Sequence, residues 1–372
     1  MSEITILYDG WPLARQPNSP AALHLSELLA LLPGEVRAIV ALPGEPLDPL
    51  PDPTEAQIVA AQDNISARLN WEQSILPALA RELDVQAIHL TGGHPALFAS
   101  TPGILSPTRF AENPLAPDKL LPRRGLRSRL REALGEGGRA RASGILWPND
   151  LPAPRSEVPL IHLPAVVHPA FGDHQSGLTE NMPGLELPET FILYHGPHAL
   201  PDLQRLLNAW TWAAGTIGSY YPLLLVGMGE AERKNIEPLL DIYQVGGTVR
   251  LLPDLPLSGL VRLYQNCSAL FHPAPINPWG NPVRVALACG KPVVALDSSL
   301  ADALVGPAAY LVSGGESGAD SSRGLGAALL TVIVEEPVAN LLTEAAGQRV
   351  DNWRSADFSA ALLTAYRQII WP

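Results

Sequence analysis

PAPINPWGNPVRVALACGKPVV, residues 273–294, follows the apolar run ALFH at 269–272 and decides the fold. Ala269–His272 reads as a buried strand, Pro282–Ala288 as a helix and Pro292–Ala295 as the next strand. Working back toward the amino terminus, the same alternation recurs. Phe191–Tyr194, Pro222–Val226 and Val249–Leu252 read as strands, separated by helices over Leu203–Ala213, Glu230–Tyr243 and Ser258–Gln265. Short apolar strands alternating with helices imply parallel strands joined by right-handed crossovers, hence a doubly wound sheet whose ligands bind beyond the carboxyl ends of its strands. Beyond it, Leu325–Ile333, Val338–Ala346 and Ser355–Ile370 read as three further helices.

The first half repeats the scheme. Ile4–Tyr8, Val36–Leu42 and Ala87–Leu90 are strands, Ala21–Leu32 a helix, and Asp63–Leu83 a single longer helix. Pro43–Pro53 holds five prolines and reads as an exposed extended loop. With 372 residues the chain exceeds one core, so residues 1–160 and 189–350 are expected to be separate domains. Residues 161–188 are the expected linker, and 351–372 a terminal helix that returns to the first domain.

Composition narrows the class. The chain is 47% hydrophobic and 17% charged, which is globular, and its net charge of −12 argues against a general nucleic-acid binder. Two cysteines, Cys267 and Cys289, make neither a disulfide framework nor a metal-ligand spacing, so core thiols in a reducing compartment are expected. The amino terminus lacks the pattern of a signal peptide, no apolar run is long enough to span a bilayer, and a cytoplasmic location is expected. Neither a G-x-G-x-x-G fingerprint nor a P-loop is present, and no D-x-D triple supports a bridging metal.

The run at 273–294 resembles the donor-site signature of group 1 (family 4) retaining glycosyltransferases, P-S-x-x-E-G-F-G-L-P-x-x-E-A-M-A-C-G-x-P-V-V. It aligns without a gap, matching at Gly280, Pro282, Ala286 and 288–294 apart from the variable position. Phe191–Gly196 and Leu224–Gly229 resemble the family's opening and second strands of its donor domain. Over residues 189–370 the likeness is good, whereas over 1–165 it is weak. What the resemblance implies is a GT-B architecture, two Rossmann-like doubly wound parallel-sheet domains facing a cleft, and metal-independent, retaining sugar transfer. No cofactor is implied, because the nucleotide sugar is itself the substrate, and the other partner would be a carbohydrate or lipid-linked acceptor.

Carried over residue by residue, the resemblance implies donor contacts at Gly196, Asn277, Gly280, Arg284, Ser298 and Ser299, with His94 on the acceptor side as the candidate catalytic group. Thr91-Gly-Gly-His94 follows a strand, so its amides suit an anion; a structural turn is the plainer reading. For Arg284 the plainer reading is an outward, solvated side chain, and for Trp279 a packing residue of the loop. Two departures from the family stand out: its paired glutamates are replaced by Asn277 and Val285, and its phosphate-binding cations by Pro197–Pro201, where His198 is the one titratable group. These motivate a rival reading, a catalytically silent member that binds a partner glycosyltransferase. Finally, Arg123, Arg124, Arg127, Arg129 and Arg131 crowd a predicted helix in an acidic chain. They read either as a solvated face or as peripheral contact with the inner face of an anionic membrane.

Overall fold

Strands buried on both faces need helices on both sides, and the chain supplies them twice. The computed structural model describes residues 3–108, 126–172, 186–314, 318–351, 353 and 355–371. Its first parallel sheet has seven strands: β1 Ile4–Asp9, β2 Val36–Leu42, β3 Glu55–Ile58, β4 Ala87–Leu90, β5 Gly103–Leu105, β6 Gly144–Pro148 and β7 Leu160–Leu163. They lie in the order β3-β2-β1-β4-β5-β6-β7. The register of β1 on β2 runs from Ile4 opposite Val36 to Asp9 opposite Ala41. The accompanying helices are α1 Trp11–Arg15, α2 Pro20–Ala30, α3 Ile65–Asn70, α4 Leu76–Glu82 and α5 Leu126–Arg139.

Two expectations change here. The helix predicted over Asp63–Leu83 is interrupted by a π-helical turn, Trp71–Ile75, in which the Leu76 amide bonds the Trp71 carbonyl. Pro77 has no N–H to give to the Gln73 carbonyl, so an i→i−4 ladder cannot pass this point unbroken. The span read as linker holds all of β7 but Leu160, and with Leu163 its one buried residue the run is too short to register as a strand.

The second unit runs from α6 Pro169–Gly172 through β8 Ile192–Tyr194, α7 Leu200–Ile217, β9 Leu223–Leu225, α8 Glu230–Tyr243, β10 Val249–Leu251 and α9 Leu257–Asn266. It continues with β11 Ala269–His272, α10 Pro282–Ala288, β12 Val293–Leu296, α11 Ser299–Val305, β13 Tyr310–Val312, α12 Gly318–Val334 and α13 Glu336–Val350. Its six parallel strands are ordered β10-β9-β8-β11-β12-β13. The largest helix shows why the sequence folds locally as it does. Leu203, Leu206, Leu207, Trp210, Ala213 and Ile217 recur at three- and four-residue spacing along α7, and all are buried in the core under the sheet. No single described helix is long and apolar enough to cross a membrane.

The chain divides into one unit of Met1–Val166, Asn277–Gly280 and Ser355–Pro372, and another of Val167–Ile276 and Asn281–Arg354. Within the first, α14, Ser355–Ile370, contributes Phe358, Leu362, Leu363, Tyr366 and Ile369 to the core over β1, β2 and β4. The Tyr366 hydroxyl lies 2.8 Å from both the Tyr8 hydroxyl and His89 Nδ1, and His89 Nε2 lies 2.8 Å from Ser106 Oγ. Burial pushes the His89 imidazole down to about 3, so this chain of four groups is neutral and closed at pH 7. Tyr366→Phe, which strands two buried polar groups, is expected to cost the first unit about 1–3 kcal/mol, read as a lower urea midpoint at unchanged slope.

Candidate functional site

Numbered along its own strands, the second sheet has the order 3-2-1-4-5-6, which reverses direction between β8 and β11. Crevices that hold ligands in such sheets form at that point, outside the carboxyl ends of the two strands. Here those ends carry His195-Gly196 and His272-Pro273. Gly196 opens the loop into α7, and its missing side chain leaves room beside the Tyr194 ring, whose hydroxyl donates to the Pro197 carbonyl at 2.6 Å. His195 Nδ1 lies 2.8 Å from the Tyr264 hydroxyl, and His272 Nε2 faces the Pro275 carbonyl at 3.4 Å.

The electrostatics of this edge are unusual for an anion site. Burial pushes both His198 and His272 down to about 4, so neither is charged at neutral pH. The arginines of the adjoining helices α7 and α8 already have protein partners. Arg205 Nη1 donates to Asp202 Oδ1 at 3.4 Å and to the Pro273 carbonyl at 3.5 Å. Arg233 donates to the Met228 and Leu251 carbonyls at 3.0 and 2.8 Å.

The other candidate donor residues separate. Ser298 caps α11, its Oγ accepting from the Ala301 amide at 3.1 Å, so the hydroxyl is used internally while Ser299 is exposed. Arg284 is only 1% exposed and its guanidinium sits 5.6 Å from the Trp353 ring centroid. That corrects the reading of Arg284 as an outward, solvated side chain. Its position on the first turns of a short helix gave no sign that Trp353 would cover it. Val285 is fully buried, as an apolar side chain on that helix face should be.

Asn277 and Gly280 belong with the first unit. Gly280 has φ +57°, and a Cβ there would collide with the Pro20 carbonyl, so close backbone approach explains this glycine. Between them, Trp279 is fully buried in the first unit's core. It stacks on His24 at 4.6 Å, meets Phe358 edge-on at 6.3 Å and donates through Nε1 to the Leu146 carbonyl at 2.8 Å.

In the first unit the switch point falls between β1 and β4, and the protein's own charges fill it. Asp9, at the end of β1, accepts Arg68 Nη2 at 2.6 Å and Nη1 at 3.2 Å, Trp71 Nε1 at 2.9 Å and the Trp11 amide at 3.2 Å. Glu72 takes Arg68 Nε at 2.8 Å, Arg131 Nη2 at 2.8 Å and the His94 amide at 3.3 Å. The anion met by the turn at 91–94 is therefore Glu72. Burial opposes the Arg68 charge, but Asp9 and Glu72 more than offset it, and its pKa stays above the ordinary value. Of Asp9, Arg68 and Glu72, only Glu72 carries a reading from sequence, in Asn70-Trp71-Glu72-Gln73, which resembles a segment of some family members. The available signal was two charges at i and i+4 flanking Trp71 in an otherwise uncharged segment.

His94 itself lies against α5, where a Cβ on Gly135 would meet its ring at 2.5 Å, and burial pushes it down to about 4. Of the arginine run, Arg131 is tied to Glu72, which corrects its assignment to a free basic face. Arg123 and Arg124, and the side chains of Arg127 and Arg129, lie outside the described residues. No cluster of His, Cys, Asp or Glu suited to a metal ion occurs among the described residues.

Five imidazoles, two buried and three half-buried, make a pH prediction. His89 titrates near 3 and His94, His168, His198 and His272 near 4, each below its unfolded value of about 6.5. Between pH 6.5 and 4 the unfolded chain binds more protons than the folded one, so stability falls as the pH falls. Each fully neutral buried His contributes at most about 1.4 kcal/mol per pH unit to the slope. A steep loss of melting temperature from pH 6.5 to 4.5, and a near-flat profile from pH 7 to 8, is expected by calorimetry.

Residues 202–328 match the family model described as Glycosyl transferases group 1, as the likeness at 273–294 led us to expect. No curated protein matches the sequence significantly. Solved structures do resemble it in shape. WaaG, a glycosyltransferase involved in lipopolysaccharide biosynthesis, aligns with TM-score 0.67 at 15% identity over 99% of this chain and 100% of its own. Sucrose-phosphate synthase from Thermosynechococcus elongatus gives 0.64 at 16% over 99% of both chains. Anabaena HepE, solved with UDP and glucose, gives 0.62 at 14% over 98% and 99%. At such identities the likeness establishes the fold, which is GT-B: two Rossmann-like units built on parallel sheets of seven and six strands.

Proposed function

We propose, for a chain of GT-B fold whose residues 202–328 carry the group 1 glycosyltransferase pattern, that the second unit takes a nucleotide-sugar donor at the β8–β11 strand ends and that the protein transfers the sugar to a carbohydrate or lipid-linked acceptor. One observation carries the reading. The switch point of the second sheet lies inside or beside the matched span, with Gly196 at one strand end and the family-like loop 273–281 leaving the other. Transfer would form a bond from the anomeric carbon to an acceptor oxygen as its bond to the diphosphate breaks. The diphosphate leaves with the electron pair, and the proton of the acceptor hydroxyl passes to the departing phosphate oxygen. Gly196 and Ser299 remain the second unit's donor contacts in this reading, and backbone amides rather than side-chain cations would meet the phosphates.

A second reading has its own observation. With His198 and His272 neutral and Arg205 and Arg233 tied to carbonyls, the edge offers a diphosphate little permanent positive charge, as a silent, partner-binding member would. Calorimetric titration with UDP, GDP, ADP and their common sugar conjugates separates the two. Micromolar binding of one nucleotide supports the donor site and names the donor for an activity assay. Absence of binding to all of them sinks it and favours the partner-binding reading, to be followed by pull-down. Peripheral contact with anionic lipid through Arg123, Arg124, Arg127 and Arg129 is tested by salt-sensitive co-sedimentation with anionic liposomes.

A further inference from the structure

A cavity of about 410 Å³ lies beside β4 and β5 of the first unit. Leu76 and Pro77 of α4 and Ile88 and Leu90 of β4 form its apolar floor, and residues 94–102 roof it. Gly103 opens β5 and Ser143 directly precedes β6, while Leu90 ends β4 and His94 follows it, so the lining reaches from the carboxyl end of β4 to the amino ends of β5 and β6. It shares His94 with the acceptor-side reading and Glu72 with the Asp9–Arg68 cluster, and none of the donor contacts lines it.

Its roof is held from below. Gln73 Oε1 accepts the Leu97 amide at 3.0 Å, and Glu72 accepts the His94 amide. At the rim, Arg141 donates to the Leu97 carbonyl at 3.1 Å and lies 5.5 Å from the ring centroid of Phe98, which is 83% exposed. No carboxylate among the described residues pairs with Arg141, and the ring nitrogens of His94 and the hydroxyls of Ser100, Thr101 and Ser143 have no protein partner among them. The one carboxylate of the lining, Glu72, is already answered by Arg68 and Arg131, while Arg68, Arg131 and Arg139 all act on His94 as positive charges. An apolar floor, a ring of hydroxyls and an unanswered guanidinium at the mouth are the complement of a small amphipathic anion.

We infer that this cavity is a binding site for a monoanionic amphiphile, its apolar body on Leu76, Ile88 and Leu90 and its head group on Arg141 with the neighbouring hydroxyls. Phe98 then gains a cover for its exposed ring, and the Arg141–Phe98 stack presents the guanidinium in a fixed orientation.

The test uses the full chain and 8-anilinonaphthalene-1-sulfonate, whose fluorescence reports an apolar site for an anion. Saturable enhancement is expected, reversed by octanoate, with octanol and octylammonium at least about tenfold weaker because neither gives Arg141 a charge-assisted hydrogen bond. Arg141→Gln should weaken octanoate by a similar factor while leaving octanol unchanged. Gly103→Leu, whose Cβ meets Pro95 at an ordinary 3.4 Å, should fill the cavity and abolish both. Equal competition by octanoate and octanol, or dye binding in both variants identical to the parent, overturns the inference. Should Gly103→Leu not fold, Arg141→Gln decides alone, since that side chain is exposed and its replacement leaves the core intact.

Discussion

Replacing Arg68 with methionine is expected to destabilise the first unit by about 3–5 kcal/mol, the usual cost of leaving buried charges without their partner. Asp9 is fully buried and Glu72 is 1% exposed, so water cannot take the guanidinium's place. Asp9 would keep the Trp71 indole and the Trp11 amide, and Glu72 would keep Arg131, which bounds the loss. The check is a second substitution. Asp9→Asn in the Arg68→Met background removes the stranded charge while its amide oxygen still accepts from Trp71, and it should recover most of the stability by urea titration. If the double variant is as unstable as the single one, the damage is steric and the electrostatic account of the cluster is wrong. Because Glu72 and Gln73 also hold the chain at 94–97, Arg68→Met should weaken dye binding in the cavity as well.

Trp279→Ala is expected to cost the first unit about 3–5 kcal/mol, the range for deleting a fully buried large aromatic. The indole has three separate attachments: the stack on His24, the edge contact with Phe358 and the bond to the Leu146 carbonyl. Trp279→Phe keeps the first two in part and gives up the third, so its loss should be intermediate, with about 1–3 kcal/mol of it due to the carbonyl left without a donor. Denaturation followed by tryptophan fluorescence measures both. Equal midpoints for the parent and the alanine variant would remove Trp279 from the core.

The donor-type unit was legible in the sequence because its evidence is local: short apolar strands, helical spacing along α7 and an ungapped run at 273–294. The ends of α3 to α4 were legible but the π-turn between them was not, since it depends on where Pro77 falls in the hydrogen-bond ladder. Arg284, Arg131 and Glu72 mark the limit. Each was visible in the sequence without its partner, and its role arises from residues elsewhere in the chain, Trp353 for the first and a shared cluster for the other two. The cavity is illegible for the same reason, as its wall is assembled from α4, β4, the 94–102 segment and the residues after α5.

The docking of α14 has a consequence for the order in which the protein is made. Tyr8, His89 and Ser106 leave the ribosome well before the hydroxyl that joins Tyr8 to His89, which arrives with Tyr366, 277 residues after His89. The amino-terminal sheet therefore waits through the synthesis of the whole second unit with one apolar face, and two buried polar groups, unfinished. Domains usually fold as they emerge; in this chain the half made first is the half completed last, and a nascent chain released before residue 355 would carry an open core.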